Sequence, residues 1–148
     1  MLYKTHFVFA VLISLLLNLD LISSFILVLC SFIPDIDIQT SKIGKKFKIL
    51  SFLANKLFSH RGFFHSLLFV LIIYFILKFI FTLQDLPYLI SLGILSHLVL
   101  DSLTKEGISL FSPFLNFRIK GFITTGSFIE KLFFIFLVIL SLALFFLF

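Results

Sequence analysis

The sequence predicts an all-α, polytopic membrane helix bundle, with about four to five spanning or half-spanning segments and one amphipathic helix lying in the headgroup plane. Three observations predict it. Of 148 residues, 61% are hydrophobic and 13% charged, whereas an ordinary soluble domain carries ~45–50% apolar and ~25% charged residues. The apolar residues form long runs broken by short polar stretches. The basic residues also segregate. Lys42, Lys45, Lys46, Lys48, Lys56, Arg61, Lys105, Arg118, Lys120 and Lys131 fall on one side of the runs, and Lys78 on the other. The positive-inside rule then places the rich side in the cytoplasm of the cell (inner) membrane, with several passes across it.

The length fits one domain over 1–148. The single cysteine, Cys30, excludes an internal disulfide and a thiolate-rich zinc site. The first apolar run lacks a basic leader and a small-residue cleavage site, so a removed signal peptide is not expected.

Thr5–Ile33 is apolar except at Asn18-Leu19-Asp20 and Ser23-Ser24. It reads either as one long helix or as a hairpin turning at Asn18–Asp20. An aspartate at the bilayer centre costs ~2.5–3.5 kcal/mol on insertion scales, and a turn at the far interface removes that cost. The hairpin also puts Lys4 and His6 on the basic side. Pro34 biases Ile33 away from helix, so Asp35-Ile36-Asp37 reads as an extended pair of carboxylates facing one way. Phe47, Leu50, Leu53, Ala54, Leu57 and Phe58 recur at helical spacing beside lysines, the pattern of an interfacial helix against anionic headgroups. Gly62–Phe81 reads as a spanning helix, Thr82–Pro87 as a turn and Tyr88–Leu103 as a second span. Thr104–Thr125 is a polar loop whose Phe111, Phe114, Leu115 and Phe117 are expected to dip into the interface. Phe128–Phe148 is the last span.

Polar chemistry is scarce, and it converges on the basic side. All four histidines, His6, His60, His65 and His97, are candidate metal ligands, with Asp35, Asp37, Asp101 and Glu130. His97 and Asp101 stand four apart on a helix, hence on one face about 5–6 Å apart at Cβ. In an apolar membrane segment such residues mark function; in a soluble helix the same pair would more often serve packing. His60 and His65 diverge by roughly 140° on a continuous helix and converge only if His60 lies on the loop that Gly62 bends. Arg61 keeps its charge and presents a fork suited to phosphate. Ser127-x-x-Glu130 also matches a capping box, so cap and ligand roles are both open for Glu130. A nitrogen and oxygen donor set without thiolate fits zinc, with manganese or iron as alternatives. Two or more such ions would suit displacement at phosphorus, with Asp35 or Asp37 as base or bridging ligand and Arg61 as the charge stabiliser.

Taken in order, Pro34-Asp35-x-Asp37, His60-Arg61-Gly62-x-x-His65-Ser66, Ser96-His97-x-x-x-Asp101-x-x-Thr104 and Thr125-Gly126-Ser127-x-x-Glu130 resemble the YdjM-type family of membrane-bound metal-dependent hydrolases. The similarity runs from His6 to Glu130. Phe64 stands where threonine is common in that family. The family looks distantly similar to zinc-dependent phospholipase C and the P1-type nucleases, helical enzymes that gather His, Asp and Glu around clustered zinc. The resemblance implies a hydrolase and supports a turn near Asn18, which brings His6 to the site. The expected substrate is a phosphoester, on a lipid phosphate or phospholipid. The expected partners are membrane lipids, and nucleic acid is not expected. Two other classes stay open: a metal or proton transporter, which needs ligands at both faces, and a non-catalytic partner-binding membrane protein.

Overall fold

The computed structural model describes residues 1–37, 62–81, 85–115 and 117–147, the side chain of Asp37 excepted. Its elements are α1 (Tyr3–Leu16), α2 (Leu21–Cys30), a 3-10 turn (Ile33–Asp37), a second 3-10 turn (Phe63–His65), α3 (Leu67–Ile80), α4 (Asp85–Ser102) and α5 (Phe128–Leu147). No strand is present among the described residues. The Thr104–Thr125 loop is held by isolated bridges from Thr104 to Ile123 and from Ile108 to Ile119.

The N-terminal hairpin is present, and its turn is encoded locally. Asn18 adopts φ 49°, a left-handed conformation that asparagine tolerates better than most residues. The Leu19 N–H donates to Ser14 O and the Asn18 N–H to Leu15 O, both at 3.0 Å. This pairing closes the last carbonyls of α1 in a Schellman motif. Asp20 then caps α2, accepting from the Ile22 N–H at 2.9 Å and the Ser23 N–H at 3.1 Å. The Ser23 hydroxyl and these amides hold the exposed Asp20 carboxyl below the usual carboxylate range.

Three expected boundaries move. The helix expected from Gly62 starts at Leu67, because the Ser66 hydroxyl accepts from the Phe69 N–H and caps it. His65 therefore lies in the 3-10 turn before the helix. The turn expected through Pro87 gives way to helix at its last three residues, since α4 begins at Asp85. A proline in the first helical turn forfeits only an N–H that has no intrahelical partner. Asp35 and Asp37 belong to a 3-10 turn, not to an extended chain. At ~3.0 residues per turn, positions two apart do not share a face. The amphipathic helix expected over Phe47–Phe58, along with His60 and Arg61, lies outside the described residues.

The chain runs up and down. His6 at the start of α1 meets Asp101 at the end of α4, and His65 before α3 meets the same carboxylate. Glu130 at the start of α5 reaches Leu2 and Thr5. One end of the bundle thus gathers the start of α1, the end of α2, the start of α3, the end of α4 and the start of α5. Two apolar clusters hold this arrangement. Ala10, Leu27 and Val28 join α1 to α2, with Leu92 of α4 packed on them. Phe69, Val70, Ile94, Leu98 and Ile108 join α3, α4 and the loop.

The outer faces are apolar: Leu21, Phe79, Phe128 and Phe146 are each more than 70% exposed. Among the described residues, α5 is the one helix long and apolar enough to cross a membrane, with 20 residues and mean hydropathy 2.5. α1 and α3 are apolar but only 14 residues long, and α2 only 10, below the ~20 residues that a full crossing takes.

Gly93 sets the distance between α2 and α4. A Cβ there would lie 2.5 Å from Leu27 O and 2.9 Å from Cys30 Cβ. Replacing a mid-helix glycine by alanine favours the helix by ~1 kcal/mol, whereas overpacking a tight contact costs ~1–3 kcal/mol. Gly93→Ala should therefore lower the thermal midpoint of the detergent-solubilised protein, and an unchanged or higher midpoint would contradict the close approach.

Asp20→Ala should also lower that midpoint, with Asp20→Asn close to the parent because asparagine caps as well. The folded carboxyl is held down, so its contribution is full above the ordinary carboxylate pKa of ~3.9. That contribution fades as pH falls through the lower folded value. A difference between parent and Asp20→Asn that does not grow in acid would argue against an ionised cap.

Candidate metal centre

Five side chains meet at the gathered end of the bundle. His6, His97 and Asp101 offer ligand atoms within 4.8 Å of one another, and so do Asp35, His65 and His97. His97 belongs to both groups. His6, His65, His97 and Asp101 are each at most 2% exposed.

His97 is fixed from behind. Its Nδ1 lies 2.7 Å from the Ser31 carbonyl oxygen. A carbonyl only accepts, so Nδ1 carries a proton and donates, and in the neutral imidazole Nε2 is then the nitrogen that keeps the lone pair. That nitrogen faces Asp35 Oδ1 and Asp101 Oδ2, each at 3.6 Å, beyond hydrogen-bonding distance. It has no hydrogen-bond partner among the described residues. In the neutral ring that nitrogen aims a lone pair at two carboxylate oxygens, a repulsion that a cation between them, proton or metal, relieves. The backbone contact itself is the arrangement that fixes the tautomer of a metal-binding histidine.

The other donors converge on the same point. The His6 ring stacks on His97 at 3.9 Å between centroids and 8° between planes, with its Nε2 3.3 Å from Asp101 Oδ1. His65 approaches the His97 ring edge-on at 5.3 Å and places Nε2 3.7 Å from Asp101 Oδ2. The Met1 amino group is 2.5 Å from Asp101 Oδ1. Asp101 itself is held at the end of α4, where the Thr104 hydroxyl donates to its carbonyl at 2.7 Å and accepts from the Gly107 N–H at 3.2 Å. Three imidazoles and two carboxylates form an N/O donor set that fits a divalent ion such as zinc, manganese or iron.

Glu130 stands beside this cluster and outside both ligand groups. Its Oε1 accepts from the Leu2 N–H at 2.6 Å and the Thr5 hydroxyl at 3.0 Å. Its Oε2 accepts from the Gly126 N–H at 2.6 Å, while the Glu130 N–H donates to Ser127 Oγ at 3.3 Å. The capping role is thus realised, with the reach-back landing one residue earlier than in the standard box. The carboxylate also ties the start of α1 to the start of α5. The 3-10 geometry corrects the paired reading of Asp35 and Asp37, since Asp35 reaches His97 without an extended partner. His60, Arg61 and the side chain of Asp37 are not described.

Two contributors escaped the sequence reading. The Ser31 carbonyl is backbone, and no side-chain pattern marks it. Gly93 had a signal: a small residue one turn before His97 in an apolar helix, the spacing that lets helices approach closely.

The family profile described as YdjM inner membrane protein matches residues 1–148. The uncharacterized protein YvsG of Bacillus subtilis (strain 168) is 44% identical over 101 residues, 68% of this chain and 63% of its own length. The inner membrane proteins YdjM of Escherichia coli (strain K12) and of Shigella flexneri are each 40% identical over 91 residues, 58% of this chain and 46% of theirs. The matched stretch thus spans between about half and two thirds of these curated relatives. No solved structure matches the chain. With the profile covering every residue, the chain belongs to the YdjM inner membrane protein family.

Proposed function

We propose that this protein is a multi-pass membrane hydrolase that uses a divalent metal to cleave a phosphoester, on a lipid phosphate or phospholipid, at the cytoplasmic face. The observation that carries the proposal is the placement of His97 Nε2. It is buried, belongs to a ring anchored through its other nitrogen to the Ser31 carbonyl, and is aimed between two carboxylates. Supporting it, the described imidazoles sit at one end of the bundle with Asp35, Asp101 and Glu130, while Asp20, Lys78 and Asp85 lie at the other. A transit site for ions needs ligands along a path, whereas these cluster. The exposed Phe114 and Phe117 beside Arg118 and Lys120 suit an interface of acyl chains and anionic headgroups. The short helices fit half-spanning segments, α2 and α3 packed on α4 and α1 packed on α5.

His6, His65, His97, Asp35 and Asp101 would hold the metal. Bound there, a divalent ion supplies Lewis acidity, acidifying water and neutralising charge on phosphoryl oxygens. The chain's own residues do the rest. The Ser31 carbonyl orients His97, and Glu130 positions α1 so that His6 stacks on it. Asp35 is the more exposed carboxylate, at 18% of its side chain. It borders the side from which substrate and water arrive, and it would accept the proton of attacking water. The apolar packing around Leu98, Ile108 and Phe69 keeps bulk water from the ligands.

Protein purified in detergent should retain zinc or another divalent ion by elemental analysis and release phosphate from phosphatidic acid. His97→Ala should lose both, with turnover falling by more than the ~10–100-fold typical of changes outside the ligand set. Metal-free parent protein, or full turnover in His97→Ala, would defeat the proposal. Metal uptake into proteoliposomes without turnover would favour a transporter.

Glu130→Gln keeps the acceptor oxygen and removes the charge. It should keep its metal content, because Glu130 ties helices and does not ligate. A stoichiometric loss of metal in Glu130→Gln would make it a ligand after all.

A further inference from the structure

A groove of about 690 Å³ lies between α1, α2 and α5, within the range of ligand pockets, ~300–1,000 Å³. Phe7 and Val11 from α1, Ser24 and Phe25 from α2, and Ser141 and Phe145 from α5 line it. Phe25 and Phe145 are more than 60% exposed, so the groove is open on the bundle's apolar outer surface. Its polar atoms are already satisfied. The hydroxyls of Ser14, Ser24 and Ser141 donate to the carbonyls of Val11, Leu19 and Leu137 within or next to their own helices. With those donors spent, a polar acceptor would find no side-chain donor on these walls, and desolvating it would cost ~2–7 kcal/mol without a compensating bond. A hydrocarbon occupant meets no such penalty.

The groove starts at the metal centre's end of the bundle. It begins at Phe7, the residue after His6, and α5 carries both Glu130 beside the centre and Ser141 in the groove wall. Along α1 the lining runs from Phe7 to Leu15, about 12 Å at 1.5 Å per residue. It goes on past the helix end to Leu19 and Leu21. This length compares with half of the ~30 Å hydrocarbon core, the reach of one lipid tail.

We propose that this groove binds the hydrocarbon chain of a membrane-embedded phosphoester substrate and so holds its phosphate at the His6–His97–Asp101 centre. The proposal rests on the hydrolase reading for its headgroup, but the groove is tested separately. A partner helix or a second copy of this chain is the competing occupant, since serine-lined seams also suit helix packing.

The experiment reconstitutes the full chain in vesicles with palmitoyl phosphatidic acid carrying a diazirine near the chain end, and maps the adducts after illumination. A matched phosphatidylcholine probe and metal chelation are run in parallel. The expected result is labelling of Val11, Phe25 and Phe145 several-fold above Phe136 and Ile139 on the outer face of α5, stronger for phosphatidic acid than for phosphatidylcholine. Ser24→Phe, which fills the groove, should lower that labelling several-fold. It should also lower kcat/KM for palmitoyl phosphatidic acid while sparing the soluble ester para-nitrophenyl phosphate. Ile139→Phe should change neither. Equal labelling of groove and outer face, alike for both lipids, would mean surrounding lipid only and overturn the proposal. Protein–protein adducts at the groove with lipid excluded would also overturn it. If Ser24→Phe fails to fold, the adduct map of the parent protein decides. If the protein turns over neither ester, the hydrolase reading fails and the adduct map still settles what fills the groove.

Discussion

The contact between His97 Nδ1 and the Ser31 carbonyl is the constraint on which the site depends. It keeps a proton on Nδ1, and so leaves Nε2 as the nitrogen that can act as an electron-pair donor toward a cation beside Asp35 and Asp101. The contact exists only because α2 and α4 lie close, and they lie close because Gly93 has no side chain to hold them apart. The Ser31 hydroxyl does not compete for the histidine, since it donates to Val28 O at 2.7 Å. A backbone carbonyl at the end of one helix thereby sets the chemistry of a side chain on another.

Enclosure follows from the same packing. Ions buried in a protein interior cost several kcal/mol each unless paired, and an apolar bilayer offers no water to relieve them. The Met1 amino group neutralises part of the charge on Asp101. Three imidazoles and two carboxylates within a few ångströms still call for a shared cation. Gathering five such groups is more than helix packing needs, for which one neutral hydrogen bond per helix pair would serve.

Much of this was legible in the chain itself. The four-residue spacing of His97 and Asp101 gave a shared helical face, and the structure keeps it at 3.6 Å. Asn18 and Asp20 mark the hairpin because one tolerates a left-handed backbone and the other caps a helix. Other features depend on context that residue patterns do not carry. Pro34 can precede an extended strand or open a tight helical turn, and the bundle chose the turn, which split Asp35 from Asp37. Ser66 looked like the interior of a long helix, but its hydroxyl caps one instead. Glu130 carried two readings in the sequence, and its position beside Leu2 and Thr5 shows a third use, as a tie between helices.

The two sides of α1 show how site and groove come from one short segment. Thr5 and His6 turn inward, toward Glu130 and Asp101, while Phe7, Val11 and Ser14 line the groove at helical intervals of three and four. Glu130 locks the start of α1 against α5, so ligand position and groove width share one hydrogen-bonded clamp. A shift of α5 at Glu130 would therefore pull on Thr5, the neighbour of His6 in the stacked pair with His97. The first seven residues of the chain thus serve both the metal centre and the groove.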